Sequence, residues 1–216
     1  MKLNEYFDKI FVVNLNRRKD RLDSFDSQSK KNNFIYERYE AFDVSEIPYP
    51  YNICDKTLNH TNVPLGAVGC YISHFMILEK SIELGYEKIL IFEDDVILTD
   101  NFEEKIMDIM DRIDKNWDFL YLGCTLPSIS ENLGGYAKVY GCLTTHSYAL
   151  SRGAIKFLYD ALCENFFTEP IDVVYSKHIM NMNSFLTIPY LTYQMESFSD
   201  ISKNVVFYLT TKEKFI

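Results

Sequence analysis

Residues 88–100, KILIFEDDVILTD, constrain this chain more than any other stretch. Ile89-Leu90-Ile91-Phe92 is apolar at every position, as expected of a strand buried on both faces of a sheet. It runs straight into three carboxylates, Glu93, Asp94 and Asp95, and apolar sequence resumes at Val96-Ile97-Leu98. Like charges this close repel and raise one another's pKa. A bound divalent cation removes that penalty, and hard cations prefer carboxylate oxygen. Ligand sites in open α/β sheets lie just past the carboxyl ends of the strands. The plainer reading is a loop of solvated acids. Three in a row, flanked on both sides by buried-strand residues, read instead as a site.

The sequence ahead of this stretch opens strand then helix. Residues 9–15 (KIFVVNL) form a buried strand, and the charged stretch 17–31 spaces Leu22 and Phe25 like one helical face. The turn between them carries Arg17, Arg18 and Arg21. Guanidinium binds phosphate with paired donors, although a solvated helix face explains the same residues. Residues 33–42 alternate as a strand does, and 43–62, with Pro48 and Pro50, read as a loop. Residues 64–84 form the best helix, with Val68, Tyr71, Ile72, Phe75, Leu78 and Ile82 at helical spacing. Gly66 and Gly69 near its start cost helix stability and permit close backbone approach. Ser73 and His74 follow; a lone histidine in an apolar helix is ordinarily a satisfied core residue, unless the acidic triplet packs beside it.

Beyond the triplet, Asp100-Asn101 caps a helix to about Ile113, residues 117–122 form a strand, and 123–135 a loop. Strands follow at 139–143 and 144–150, then a helix capped by Ser151. Pro170-Ile171-Asp172 opens a helix to about Met182, residues 185–191 form a strand, and 205–209 are a last apolar run. The pattern predicts an α/β domain with a mixed, mainly parallel sheet between helices. It also predicts a single domain over 1–216, with more irregular loops in its second half, from about residue 101.

The formal net charge of −9 argues against a broad nucleic-acid surface. Five cysteines without a CxxC pair read as reduced thiols, and zinc ligation does not fit their spacing. The first fifteen residues read as neither a signal peptide nor a membrane span, so a cytoplasmic location, peripheral to a membrane at most, is the expectation.

Five segments together, FVVNLNRRKDR, GAVGCYISHFMILEK, ILIFEDDV, THSYALSRGA and PIDVVYSKHI, resemble glycosyltransferase family 25, the lipopolysaccharide and collagen galactosyltransferase family. The resemblance implies a glycosyltransferase A fold, an acidic motif holding Mn2+ or Mg2+, a UDP-sugar donor, usually UDP-galactose, and inversion at the anomeric carbon. The acceptor class it implies is a glycan, a glycolipid or a hydroxylysine-type hydroxyl. On this pattern Asp95 is the first choice as metal ligand. Asp94 is the second metal ligand or, with Glu93, holds the ribose, the sugar hydroxyls or metal-bound water. The resemblance places the donor-binding half at about 1–100 and the acceptor-side half at about 101–216. Asn14 borders the uridine, Arg17 and Arg21 face the pyrophosphate, and Gly66, Gly69, Ser73 and His74 line the donor pocket. A single displacement needs a base on the acceptor hydroxyl. Asp172 is the candidate, with Glu169 in reserve, although an aspartate there also suits a helix N-terminus. His146 and His178 are alternatives for a further metal ligand.

Two other donors, UDP-glucose and UDP-N-acetylglucosamine, fit the same residues, because sugar choice rests on a few hydroxyl contacts. A non-catalytic nucleotide-sugar or glycan binder of the same fold is a different class. The intact triplet speaks against it. A nucleotidyltransferase would use the triplet but leaves the THSYALSRGA and PID segments unexplained.

Overall fold

The computed structural model describes residues 2–44, 63–195, 197–198 and 205–206. Its elements follow in chain order. A single helical turn, α1 (Leu3–Tyr6), precedes β1 (Lys9–Asn14), α2 (Lys19–Lys31) and β2 (Glu37–Glu40). The long helix α3 (Leu65–Glu83) leads into β3 (Lys88–Glu93) and β4 (Val96–Leu98). Then come α4 (Phe102–Arg112), β5 (Phe119–Tyr121), β6 (Thr125–Ile129), β7 (Tyr136–Leu143) and β8 (Ser147–Ser151). Two helices, α5 (Arg152–Glu164) and α6 (Ile171–His178), precede β9 (Ser184–Thr187) and β10 (Thr192–Gln194).

Eight strands form one sheet in the order β2-β1-β3-β8-β5-β9-β7-β6. The pairings make β2, β1, β3, β5, β9 and β6 run one way and β8 and β7 the other. The mixed, mainly parallel sheet expected from the sequence is therefore present.

Its two faces are both apolar because the strands carry no polar alternation. Phe11, Val13, Ile89, Ile91, Phe119, Tyr121, Tyr148 and Leu150 face a core shared with α3, α5 and α6. Ile10, Val12, Leu90, Phe92, Leu120 and Ala149 face a second core shared with α1, α2 and α4. Successive side chains of a strand point to opposite faces, so continuous apolar runs produce a three-layer sandwich. Each fully buried leucine, isoleucine or phenylalanine in these layers contributes about 1.5–3 kcal/mol.

Several expected elements differ. The strand expected over 33–42 shrinks to β2, because Asn33 takes a left-handed turn with φ 57° and Ile35 points to solvent. The loop expected over 123–135 contains β6, an irregular edge strand with Leu126 at φ 48°. Residues 144–146, expected in a strand, form the loop ahead of β8, and the strand expected over 185–191 ends at Thr187 as β9, with β10 a separate strand beyond it. Helix α3 buries Ser73, His74, Ile77 and Ser81 and leaves Ile82 exposed, since small and polar groups meet the sheet there. Asn101 makes no side-chain cap; Asn32 Oδ1 instead accepts from the Phe102 amide at 3.1 Å. The expected loop over 43–62 lies outside the described residues from 45 onward, and of the last apolar run only Val205–Val206 is described.

Candidate active site

Strand parity divides the acidic triplet. Ile89 and Ile91 face the α3 side, and Leu90 and Phe92 face the α2 side. Glu93 continues the first set and Asp94 the second. Asp95 follows in the turn before β4. Three neighbouring carboxylates thus enter different environments at the carboxyl edge of the sheet.

On the α2 side, the helix presents Arg21, Phe25 and Ser29, four residues apart, as its buried face. Phe25 anchors the core, and Arg21 is carried to the sheet edge. Its Nη1 donates to Asp94 Oδ1 at 3.0 Å and lies 3.1 Å from Asp95 Oδ2. Asn14, the last residue of β1, donates through Nδ2 to Asp94 Oδ2 at 2.7 Å and to the Arg18 carbonyl at 2.9 Å. Its Oδ1 accepts from Arg38 Nε at 2.8 Å. Burial nevertheless pushes the Asp94 carboxyl above its ordinary value, against the Arg21 charge and the Asn14 bond. Burial, reinforced by the Glu93 charge, pushes Asp95 up to about 7 despite Arg21.

On the α3 side, Glu93 Oε1 accepts from Thr145 Oγ1 at 2.8 Å and stands 3.5 Å from His74 Nε2. Burial alone would raise this carboxyl, but His74 and Thr145 outweigh it and hold it below the usual range. His74 Nδ1 pairs with the Tyr148 hydroxyl at 2.6 Å, so the helix histidine does pack beside the triplet. Cys70, one helical turn earlier, points its thiol at the same Oε1 from 4.0 Å. Burial and the Glu93 charge push that thiol well up.

The remaining wall comes from the second half of the chain. Asp172, in the first turn of α6, accepts through Oδ2 from the Thr144 amide at 3.1 Å. Thr144 adopts φ 77° and its hydroxyl meets His146 Nδ1 at 3.1 Å. His146 Nε2 lies 3.3 Å from Thr192 Oγ1. Burial lowers the His146 pKa to about 4, so the ring is neutral near pH 7. Thr144 and its neighbour Thr145 link the two walls, the first through its amide to Asp172 and the second through its hydroxyl to Glu93. Strand β10 pairs antiparallel with β4, aligning Gln194 with Val96, and the Met195 amide donates to the Asp95 carbonyl at 2.7 Å. Gln194 Nε2 lies 3.5 Å from each Asp95 oxygen.

This wall requires glycine at position 123. A Cβ there would stand 2.3 Å from the Thr192 carbonyl oxygen and 3.0 Å from His146 Nε2. We expect Gly123→Ala to destabilise the fold by about 1–3 kcal/mol as an overpacked site. Thermal unfolding checks it, and an unchanged Tm would mean that β10 moves aside freely.

The other sequence candidates sit as follows. Arg17 pairs with Asp43 in the segment after β2. Gly66 lies half-buried in the first turn of α3. Gly69 packs against protein rather than an open cleft, since a Cβ would meet the Phe42 carbonyl oxygen at 2.6 Å. Ser73 is satisfied within the same contact: its hydroxyl donates to the Gly69 carbonyl at 2.7 Å and accepts from the Phe42 amide at 2.8 Å. Glu169 pairs with Lys177. His178 stands at the far end of α6 from Asp172, about 9 Å of helix rise away, with its ring edge-on to Phe157. The structure thus brings together Asn14, Arg21, His74, Glu93, Asp94, Asp95, His146 and Asp172, and places His178 elsewhere. Thr145, Gly123, Thr192 and Gln194 belong to the site but carry no local signal.

The residues present fit a hard divalent cation at Asp95. That carboxylate is buried among two others and, among the described residues, pairs with one cation, Arg21, which it shares with Asp94. An uncompensated buried negative charge of this kind favours a cation with oxygen ligands. Cys70, His74 and Glu93 form a second, softer set, with ligand atoms within 4.8 Å of one another, whose chemistry suits zinc better than manganese or magnesium.

Comparison with known proteins shows the family. The family model described as glycosyltransferase family 25 (LPS biosynthesis protein) matches residues 7–133. Human procollagen galactosyltransferase 2 is 31% identical over 140 residues, covering 58% of this chain and 22% of the relative. A putative glycosyltransferase, R655 of Acanthamoeba polyphaga mimivirus, is 31% identical over 123 residues, covering 55% of this chain and 38% of that one. The human inactive glycosyltransferase 25 family member 3 is 29% identical over 134 residues, covering 54% of this chain and 22% of that one. The chain therefore spans about a fifth of the length of the human relatives it matches. Among solved structures, A197 from STIV gives a TM-score of 0.46 at 12% identity, covering 82% of this chain and 80% of that one. The glycosyltransferase involved in glycosylation of the major capsid of PBCV-1 gives 0.42 at 12% identity, covering 83% and 91%. With the family pattern spanning β1 to β6 and the acidic triplet, the chain belongs to glycosyltransferase family 25.

Proposed function

We propose that this chain transfers a hexose, first of all galactose, from a UDP-sugar to a hydroxyl of a glycan, glycolipid or hydroxylysine-type acceptor, with inversion and with Mn2+ or Mg2+. The observation that carries the proposal is the convergence of Asp95, Asp94 and Arg21 with the Thr144–Asp172 contact at one sheet edge. The galactosyl assignment rests on the names of the procollagen galactosyltransferase relatives.

In this reading a divalent cation held by Asp95 would supply Lewis-acid stabilisation for the departing diphosphate. Asn14 and the backbone beside it border the uridine. Arg21 orients the acid pair and neutralises part of its charge. Asp172 takes the proton of the acceptor hydroxyl as that oxygen bonds to the anomeric carbon. The bond from that carbon to the phosphate oxygen breaks on the opposite side, and its electron pair leaves with UDP. The proton then passes from Asp172 to solvent. The Val173 and Thr144 amides, which donate to Asp172 Oδ1 and Oδ2 at 2.9 and 3.1 Å, orient this carboxylate.

Asp172→Asn should leave UDP binding near wild type and lower kcat by about 10²–10⁴-fold, since a base acts in the transition state. Calorimetry with UDP and a UDP-release assay read the two effects separately. Full turnover in that variant would move the role, first to Glu169. A non-catalytic reading is favoured by one observation, the relatives described as inactive. Donor binding without UDP release for wild type across a panel of UDP-sugars and acceptors would support it.

A further inference from the structure

We infer that Gln194, together with Asp95, supplies a side-chain oxygen ligand to the divalent cation of the reaction. The inference rests on the metal-dependent reading above and names a protein ligand that neither His146 nor His178 provides.

The backbone alone brings Gln194 to the acidic turn. β10 and β4 are joined in a register of Thr192 with Leu98, Tyr193 with Ile97 and Gln194 with Val96. The Met195 amide extends this ladder by one bond to the Asp95 carbonyl. Leu122 accepts from the Leu191 and Thr192 amides at 2.8 and 3.2 Å, tying the same segment to the end of β5. The Gln194 position is therefore held from both sides and does not depend on its own side chain.

The side chain itself is poorly satisfied. Gln194 Oε1 is buried and has no hydrogen-bond partner among the described residues. Its Nε2 approaches both Asp95 oxygens only at 3.5 Å, the outer limit of a hydrogen bond. A buried amide oxygen left without a partner costs about 1–3 kcal/mol. The oxygen and nitrogen of a glutamine are assigned from their surroundings, and the two exchange by a half-turn of the amide. With a cation beside Asp95, that half-turn presents Oε1 as a neutral hard ligand and turns Nε2 away. Carboxylate plus amide carbonyl is an ordinary pairing for manganese or magnesium.

Both histidine alternatives are engaged elsewhere. The two ring nitrogens of His146 meet the hydroxyls of Thr144 and Thr192, and His178 lies against Phe157. The Cys70, His74 and Glu93 set is softer and on the opposite face of the strand.

The test titrates Mn2+ alone into the whole chain and follows free Mn2+ by electron paramagnetic resonance. The proteins are wild type, Gln194→Ala, Gln194→Glu, Asp95→Ala and Cys70→Ser, with the Tm of each metal-free protein measured in parallel. The expected result is a Kd at least about tenfold weaker for Gln194→Ala, loss for Asp95→Ala, and wild-type or tighter binding for Gln194→Glu. Wild-type affinity in Gln194→Ala, with loss in Asp95→Ala, overturns the inference and leaves the metal-dependent reading standing. A lowered Tm in Gln194→Ala with no recovery of Mn2+ affinity in Gln194→Glu also overturns it, because the residue then acts through packing. Loss confined to Cys70→Ser places the cation in the other set and overturns it too. Absence of Mn2+ binding by wild type overturns both readings.

Discussion

Asp95→Ala should abolish divalent-dependent binding of the UDP-sugar donor while leaving the chain folded. Asp95 is the one acid of the triplet that strand parity commits to neither face, and it lies in the turn at the sheet edge. Asp94 is fully engaged by Asn14 and Arg21, and Glu93 by Thr145 with His74 nearby. Removing Asp95 therefore takes away the carboxylate with capacity to spare. It also relieves a buried like-charge contact, since Glu93 and Asp94 both raise its pKa. Tm should stay near wild type or rise, whereas the donor Kd measured with manganese should weaken by about 100-fold or more, roughly 2.7 kcal/mol. Calorimetry with and without manganese decides it. Equal donor affinity with metal in the variant and wild type would remove Asp95 from the site.

Arg21→Ala should be the most damaging single change to stability. The guanidinium is buried, as are both carboxylates it meets. Breaking such a pair leaves charge in a low-dielectric site without compensation, at a cost of about 3–5 kcal/mol. For a domain of this size that corresponds to a fall in Tm of roughly 10 °C. Two further observations would tie the loss to charge rather than to packing. Adding Asp94→Asn to the variant should recover part of it, and millimolar manganese should recover part through Asp95. Chemical denaturation with unchanged m-value measures the difference. If Arg21→Ala unfolds at the wild-type midpoint, water already reaches the acid pair and the arginine is dispensable to it.

Much of the architecture was legible in the sequence because it follows from local pattern. Runs such as residues 9–15 and 88–93 lack polar alternation, and only a sheet covered on both faces accommodates them. The acidic triplet was legible as a site for the same reason: nothing in a buried strand explains three charges at its end. Ser151 at a helix start follows from capping preferences, and its Oγ does accept from the Ala154 amide at 3.3 Å, whereas Asp172 lies inside the first turn of α6, whose cap position is Pro170.

What the sequence could not supply is which partner each charge meets. The sequence could not show that Arg21 is buried against the acid pair, because a helix with one buried arginine and a helix with a solvated one have the same local pattern. Its partners, Asp94 and Asp95, lie more than seventy residues away. Gly69 and Ser73 suggested a ligand pocket, yet they close on Phe42, a contact made by crossing chains rather than by spacing.

By itself, then, the sequence determined the layered α/β architecture, the strand that ends in acids and the family pattern, since period and composition are local properties. Only the tertiary structure decided that Glu93 turns to His74, Asp94 to Arg21 and Asn14, and Asp95 to Gln194. The physical reason is that a strand's two-residue period sends neighbouring side chains to opposite layers. Which groups wait in those layers depends on helices and strands contributed from both ends of the chain.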